Sequence, residues 1–405
     1  MRKTNMLAAV SLAAAIGTAA VVPALAQGTG RSLDIDASIR SAGWGGACNA
    51  VFWGGDPNEW ANPALLGYHA GIRYSWGKTQ LVPGLANDVF FKTEEITIGM
   101  GGLGIAVPGN LNGYGSALLD YGRSTRTDNQ GNPIGTFRSF ERIRSWGMGV
   151  SLAELVASAW RKAGEEPPAF LRYGDVAVGY NDKHVLIALD PGTGGGVGQT
   201  GGRDFGFLVR ATPINTLDPR VPSSPSPGLP LRVDLCYGRS TLNYNDALVT
   251  FISEDAANPL SRISRNGVAA RAALGITESL RGTLGGSDWL ARSLSPLVSV
   301  GFAVDGEHIT AGDQGPGFDV HRWGGELSVA NVLHLRLGDV SDKLSDIRGG
   351  TSGYGVGFSL AGCAGFRYDH ATIPQARGLE KVKRKGFTFF VDPFRVAEEL
   401  AKRKE

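Results

Sequence analysis

The sequence predicts an all-β protein in which antiparallel strands close into a barrel, and three observations carry that prediction. Apolar and polar residues alternate with period two in stretch after stretch from Gly71 to Val391, as in strands with two unlike faces. Several stretches are joined by short turns, which reads as hairpins. Glycine, at 59 of 405 residues, is about twice the ~7% of ordinary proteins, and curved sheets use glycine where strands bend or backbones approach closely. At ~10 residues per strand plus turns, the length accommodates about 14 strands.

The chain begins with a stretch that reads as a secretory signal peptide, residues 1–26. Arg2 and Lys3 precede an apolar run from Met6, and Pro23-Ala24-Leu25-Ala26 ends in a small-x-small cleavage pattern. Gln27 follows, so a lipoprotein anchor at a cysteine is not expected. No other stretch approaches the ~20 apolar residues of a spanning helix, whereas a membrane β-strand needs only ~9–11 alternating residues. The mean hydropathy of −0.07 suits a membrane barrel and a water-soluble protein alike. Charged residues make up 19%, below the ~25% of soluble domains. The net charge of +2 gives no reason to expect a nucleic-acid partner. Three cysteines, Cys48, Cys236 and Cys363, are too few for a disulfide scaffold, and one pair among them stays open.

Segment 27–68 is irregular, glycine-rich and carries four aromatics between Trp44 and Trp60. It reads as a plug or hatch. Asn62-Pro63 forces an extended or turn conformation, and Ala64-Leu65-Leu66 is a short apolar insert. Residues 69–392 form the expected barrel. Ile72, Tyr74 and Trp76 alternate with Arg73 and Ser75. Ile96, Ile98 and Met100 turn through Gly101-Gly102 into Leu103, Ile105 and Val107. Val176, Val178 and Tyr180 are followed, in the opposite phase, by Val185, Ile187 and Leu189, and Asn181-Asp182 between them reads as a turn. Phe205, Phe207 and Val209 face away from Asp204 and Arg210. Leu231, Val233, Leu235 and Tyr237 oppose Arg232, Asp234 and Cys236. Val298 to Val304, Leu333 to Leu337, Tyr354 to Leu360, Phe366 to Tyr368 and Phe387 to Val391 alternate likewise.

One helix interrupts the series. Ser151-Leu152-Ala153-Glu154 is a capping box, and Leu152, Leu155, Val156, Ala159 and Trp160 recur at helical spacing until Pro167-Pro168. Its apolar stripe is expected to pack against one end of the barrel. The proline-rich run 221–227 reads as an exposed loop, and residues 393–405 as a charged tail. Solenoid or propeller repeats of 20–50 residues are not evident.

No catalytic or metal constellation stands out: there is no GxSxG, HExxH, Walker loop or paired CxxC. Neither an enzyme nor a cofactor is expected. Arg367, Asp369 and His370 form the most suggestive local group and read as a hydrogen-bonded rim. Polar residues on the strands, Arg73, Asp204, Arg210, Arg232, Asp234, Arg336 and Arg367, are the expected lining of a lumen, with apolar residues such as Leu335 toward lipid. A soluble sandwich or barrel that binds a ligand alternates in the same way with its apolar face inward, and this alternative stays open at the level of periodicity.

Two stretches carry a family resemblance. Ala50-Val51-Phe52-Trp53 with Asn62-Pro63-Ala64-Leu65-Leu66 resembles the N-terminal signature of FadL-like and PorV-like outer-membrane proteins. Leu335-Arg336-Leu337-Gly338, Tyr354-Gly355-Val356-Gly357 and Phe366-Arg367-Tyr368-Asp369-His370-Ala371 resemble their C-terminal strands. The resemblance covers both ends of the chain after residue 26. It implies a Gram-negative outer-membrane barrel of roughly fourteen strands with an N-terminal hatch, of which Asn62, Pro63 and Ala64 are the motif. It also implies outer-membrane lipid as surroundings and, as cargo or partners, hydrophobic small molecules or secretion-system proteins. The chain departs from the pattern by the insertion Gly54 to Ala61 and by running past its last strand into the charged tail.

Overall fold

The computed structural model describes residues 30–192, 196–217, 230–251, 257–283, 288–311, 317–342 and 346–402. The signal-peptide reading of residues 1–26 and the proline-rich run 221–227 lie outside the described residues. The strands are β1 (Gly71–Gln80), β2 (Phe90–Gly99), β3 (Leu103–Pro108), β4 (Ala117–Thr127), β5 (Pro133–Ser151), β6 (Gly174–Ala188), β7 (Val197–Asn215) and β8 (Leu231–Leu242). A two-residue ribbon, β9 (Leu248–Val249) and β10 (Asn258–Pro259), follows. The series continues with β11 (Ser261–Leu274), β12 (Val298–Ala311), β13 (Gly317–Val329), β14 (Leu333–Asp342), β15 (Ile347–Leu360), β16 (Ala364–Ile373) and β17 (Val382–Val391).

Each barrel strand pairs antiparallel with its neighbours, and β1 closes the ring by pairing with both β2 and β17. β3 and β4 share one place between β2 and β5: β3 pairs with the last residues of β2, and β4 with the first. The barrel therefore has fourteen strand positions, one of them split. Among the described residues no helix is long and apolar enough to cross a membrane, which says nothing against crossing by strands.

The two ends differ. At the end where β1 starts and β17 stops, here the proximal end, β13–β14 and β15–β16 are joined by tight turns. Ala330-Asn331 and Ala361-Gly362 hold consecutive positive φ angles, as type I′ hairpin turns require. The proximal end also carries the helical connection 152–173, and the distal end carries loops such as 81–89 and 374–381.

Along the proximal half the apolar side chains point outward. Leu335, Val300, Phe358 and Phe389 are about half exposed, while Arg336, Ser299, Ser359 and Thr388 beside them are buried. Above this belt a ring of aromatics, including Trp76, Trp146, Tyr180, Tyr237, Trp323, Tyr354 and Phe387, occupies outward positions. Beyond the ring the apolar face changes sides. Tyr180 points out but Val185 and Ile187 point in; Val268 points out but Ile263 in; Val304 out, Ile309 in; Leu337 out, Val340 in. The switch comes at the same level on strand after strand.

This overturns one expectation. Asn181-Asp182 is no turn, because β6 runs unbroken from Gly174 to Ala188. The phase change reflects a change of environment within one strand. Arg367, Asp369 and His370 also part company. Asp369 points inward to Arg336 and Arg367, whereas His370 points outward and stacks on Tyr354 with ring centroids 5.1 Å apart.

The helix Leu152–Lys162 forms where expected, with Ser151 Oγ accepting from Glu154 N at 3.3 Å. Asp175 fixes its start, accepting from Ser151 Oγ (2.5 Å) and Ala153 N (2.8 Å). Its apolar stripe does not pack on the barrel: Leu152, Leu155, Val156 and Trp160 are 39–50% exposed, and only Ala153 is buried. The helix joins β5 to β6 at the proximal end, so the stripe continues the outward apolar belt. At the other terminus Asp392 Oδ1 accepts from Phe394 N and Arg395 N and starts the helix Pro393–Lys402.

Candidate functional site

The interior of the ring holds residues 30–69. A 3-10 turn, Arg31–Asp34, sits toward the distal end, with Leu33 among Phe91, Leu119 and Ile187. Ser38 caps the short helix Ile39–Gly43. Asp36 ties the segment together, accepting from Ser38 N (2.8 Å), Ser41 Oγ (2.6 Å) and Asn58 Nδ2 (2.9 Å). Trp44, Trp53, Ala47 and Cys48 then pack on Cys236, Ala269 and Ala303 of the wall. The three cysteines are free thiols, and Cys48 and Cys236 share this cluster.

The segment approaches the wall backbone to backbone, which explains much of the glycine content. Inward positions carry facing glycines on adjacent strands: Gly149, Gly179 and Gly206 on β5, β6 and β7, and Gly324 and Gly338 on β13 and β14. A methyl group at Gly338 would stand 2.5 Å from the Trp44 carbonyl carbon, and one at Gly179 would stand 2.2 Å from that of Pro63.

Asn62, Pro63 and Ala64 lie at that second contact. Asn62 Nδ2 donates to Asn49 O (3.0 Å) and Phe207 O (3.1 Å), and its Oδ1 accepts from Ala64 N (3.0 Å). One side chain thus starts the 3-10 helix Pro63–Tyr68, holds the segment's earlier turn and fastens both to β7. Pro63 at the first helical position needs no donor there.

The seven polar strand residues singled out in the sequence all point inward. Arg336 is fully buried between Glu326 (2.6 Å) and Asp369 (2.6 Å), and Arg367 donates to Asp369 (2.6 Å) and to Gly54 O (2.5 Å). Arg40 of the segment completes this cluster, pairing with Glu326 (2.8 Å) and Trp53 O (2.8 Å). Asp204 is paired with buried Lys183 (2.6 Å). Arg210 and Arg232 rest on the Phe52 ring, 5.3 and 6.0 Å from its centroid, and Arg232 pairs with Asp234 (2.9 Å). Arg73 packs over Phe390 at 5.6 Å, and its Nε finds no hydrogen-bond partner. The set does not gather at one point; it forms separate ties around the segment.

Sequence reasoning missed Arg40, Glu59, Lys183, Glu307 and Glu326. Glu307 holds Arg265 (2.8 Å) and Arg322 (2.9 Å), and Arg322 reaches Gly45 O (3.3 Å). A usable signal existed for Lys183, Glu307 and Glu326: each occupies the inward phase of its strand. Arg40 and Glu59 lie in irregular chain, where no phase exists.

Burial sets the protonation of several groups in the segment. Glu59 is pushed up to about 7 by burial, which the Lys183 ammonium partly offsets; neither carboxylate oxygen has a hydrogen-bond partner. Burial raises Asp34 to about 6, against the pull of Arg31, and raises the Cys48 thiol. His69 is lowered to about 3 by burial and then by Arg73. Its Nε2 lies 3.0 Å from Thr97 Oγ1.

Above the charged ties the inner wall becomes apolar. Phe91, Leu119, Ile143, Val185, Ile187 and Leu260 form one cluster, and Leu242, Ile263, Ile309, Val320 and Val340 another. Among the described residues no group of three or more His, Cys, Asp or Glu is placed to hold a metal ion.

A closed fourteen-position antiparallel barrel with an apolar outer belt, an aromatic ring and buried charges inside is the architecture of a transmembrane β-barrel. Solved structures similar to the chain include a Pseudomonas aeruginosa FadL homologue, with a TM-score of 0.39 and 9% identity over 87% of this chain and 98% of that one. The Ralstonia pickettii toluene transporter TbuX matches with a TM-score of 0.40 and 10% identity over 87% and 97%. The monoaromatic hydrocarbon channel CymD matches with a TM-score of 0.40 and 10% identity over 87% and 96%. No protein-family model matches the chain, and no curated protein matches it in sequence.

Proposed function

We propose that the protein is an outer-membrane β-barrel that admits hydrophobic molecules at its distal mouth, with residues 27–68 as the gate across the lumen. The observation that carries this reading is the reversal of the apolar face along the strands. A soluble barrel keeps its apolar face inward throughout, because water bathes its whole outside. Here the proximal half turns that face outward, as only a lipid environment rewards, and the distal half turns it inward around the entrance of the lumen. The apolar distal wall packs on Leu33 of the gate, so displacing the gate would expose a wall suited to an apolar guest, since most pockets for small molecules are lined by such side chains. In this reading Asn62, Pro63 and Ala64 pin the gate. Arg73, Asp204, Arg210, Arg232, Asp234, Arg336 and Arg367 hold it or face it, and the cargo is a hydrophobic small molecule.

Membrane fractionation with boiled and unboiled gel migration tests the barrel. A heat-dependent shift of protein recovered in outer membranes is expected, and quantitative recovery in the soluble periplasm would end the reading. Passage is tested in planar bilayers and by binding of N-phenylnaphthylamine, which brightens in apolar sites. A chain lacking residues 27–60 should conduct more than the intact one, and Ile187→Asp should reduce dye binding. Equal conductance and unchanged dye response in correctly folded barrels would leave a scaffold that conducts nothing, such as a secretion-associated barrel.

A further inference from the structure

We propose that the outer surface at the seam of the barrel, where the first and last strands meet, binds a membrane lipid whose headgroup carries more than one phosphate. The proposal rests on the membrane reading above and adds a specific site to it. In register across four adjacent strands lie Lys92, Lys78, Lys385 and His370: Lys92 faces Lys78, Lys78 faces Lys385, and Lys385 faces His370. Lys383 adds a further cation two residues along the same face. Like charges directly opposite one another on neighbouring strands repel, so such a row is costly unless an anion lies over it.

The protein supplies little of that anion. Lys92 is 3.6 Å from Asp120. Among the described residues no carboxylate lies within 4.0 Å of Lys78, Lys383 or Lys385, all three of which are exposed. Glu94, two residues from Lys92 on the same face, is turned away. It is buried and accepts from the Tyr74 hydroxyl and the Leu111 and Asn112 amides.

The level of the row points to a lipid. Trp76, Phe387 and Tyr368 lie one outward position nearer the belt on the same strands and form a contiguous series, Trp76 stacked on Phe387 and Tyr368 tilted against it, with centroids 6.1 and 5.2 Å apart. Aromatic rings of this kind sit at the boundary between hydrocarbon and headgroups. One outward step further, roughly 7 Å along a strand, is the depth of the phosphates. Lys92 and Lys385 are two strand spacings apart, roughly 10 Å, so the row is wider than one phosphate. Basic clusters at this depth recognise anionic lipids, and each lysine is worth about fivefold in binding.

Native mass spectrometry of the folded protein in detergent, with cardiolipin, phosphatidylglycerol, phosphatidylcholine or inorganic phosphate, tests the site. The intact protein should retain cardiolipin most strongly, phosphatidylglycerol less and phosphatidylcholine least. Combined Lys78→Gln, Lys383→Gln and Lys385→Gln substitution should weaken cardiolipin retention by roughly a hundredfold, and the corresponding Lys→Arg variant should keep it. Arg203→Gln with Arg239→Gln, elsewhere on the outer face, should leave it unchanged. If the triple glutamine variant shows no heat-dependent shift, the single Lys385→Gln change, about fivefold, decides in its place. Equal retention by wild type and variants overturns the site, as does an equal loss in the Arg203/Arg239 control. Displacement of cardiolipin by millimolar inorganic phosphate would reassign it to a free anion and also overturn it. A chain that never shows the heat shift fails the membrane reading instead, so the two failures are told apart.

Discussion

The proximal and distal halves of this barrel use the same strands and opposite chemistry. In the proximal half Leu335 and its neighbours face outward and Arg336 is buried; in the distal half of the same strand Val340 is the buried residue. The proximal interior is polar because its contents, residues 36–69, are themselves rich in turns and charges that need partners. Arg40, Glu326, Arg336, Asp369 and Arg367 meet that need in one connected set. The distal interior is apolar because it packs Leu33 and its own wall. The difference teaches that a strand's apolar phase records which side faces a nonaqueous medium at each level, and that the medium changes from lipid outside to packed protein inside.

Substitutions on the two sides of one strand test the comparison most strongly. Arg336→Leu removes the cation between two buried carboxylates and should destabilise by roughly 3–5 kcal/mol. Urea unfolding in lipid vesicles would show it, and adding Glu326→Gln should recover part of the loss. A neutral result would mean that water reaches this cluster and that the interior is a solvated lumen.

The neighbouring change, Leu335→Arg, should cost roughly 2–4 kcal/mol if the residue lies near the bilayer midplane, and much less nearer the interface. The same measurement checks it, and thiol labelling separates the faces. In a chain freed of Cys48, Cys236 and Cys363, cysteine at 335 should react with a lipid-soluble reagent and cysteine at 336 with neither that nor a water-soluble one. Preference of position 335 for the water-soluble reagent would contradict the outward lipid face.

A smaller effect is expected at the junction of the proximal end. Ser151→Ala should cost about 1 kcal/mol in the first turn of the helix Leu152–Lys162. The readout is faster proteolysis or amide exchange across residues 152–162. Unchanged protection would show that Asp175, through the Ala153 amide, holds the turn alone.

The smallest effect at neutral pH concerns Glu59. Burial raises its folded value from an ordinary 4.5 to about 7, so the folded protein binds this proton more tightly than the unfolded chain. The stability this contributes is fully present below about pH 4.5 and is lost as pH rises through about 7. Amide exchange around residues 57–61 should therefore speed up between pH 6 and 8 beyond the intrinsic rate, and Glu59→Gln should remove that excess. A wild-type excess equal to that of Glu59→Gln would show that the carboxylate is solvated or paired.

Much of the fold was legible because period-two alternation is a local property of a chain with two unlike surroundings. Leu333 to Leu337 and Tyr354 to Leu360 declare their outward face without help from any distant residue. The inward direction of Arg73, Asp204, Arg210, Arg232, Asp234, Arg336 and Arg367 follows from the same parity. The partners of these residues were not legible: Arg336 meets Glu326 and Asp369, and Arg40 meets Glu326 across 286 positions of sequence.

The sequence by itself determined that strands would form and which neighbours part to opposite faces, because backbone sterics and side-chain alternation act over a few residues. It determined the helix start at Ser151 for the same reason. Only the tertiary structure decided that the helix's apolar stripe points away from the barrel. Only it decided that Asn181-Asp182 continues a strand, and which wall residues each part of residues 30–69 meets. Those outcomes depend on what lies across the ring. A period of two is identical whether the apolar side meets lipid or core, and closing the barrel assigns each side its medium.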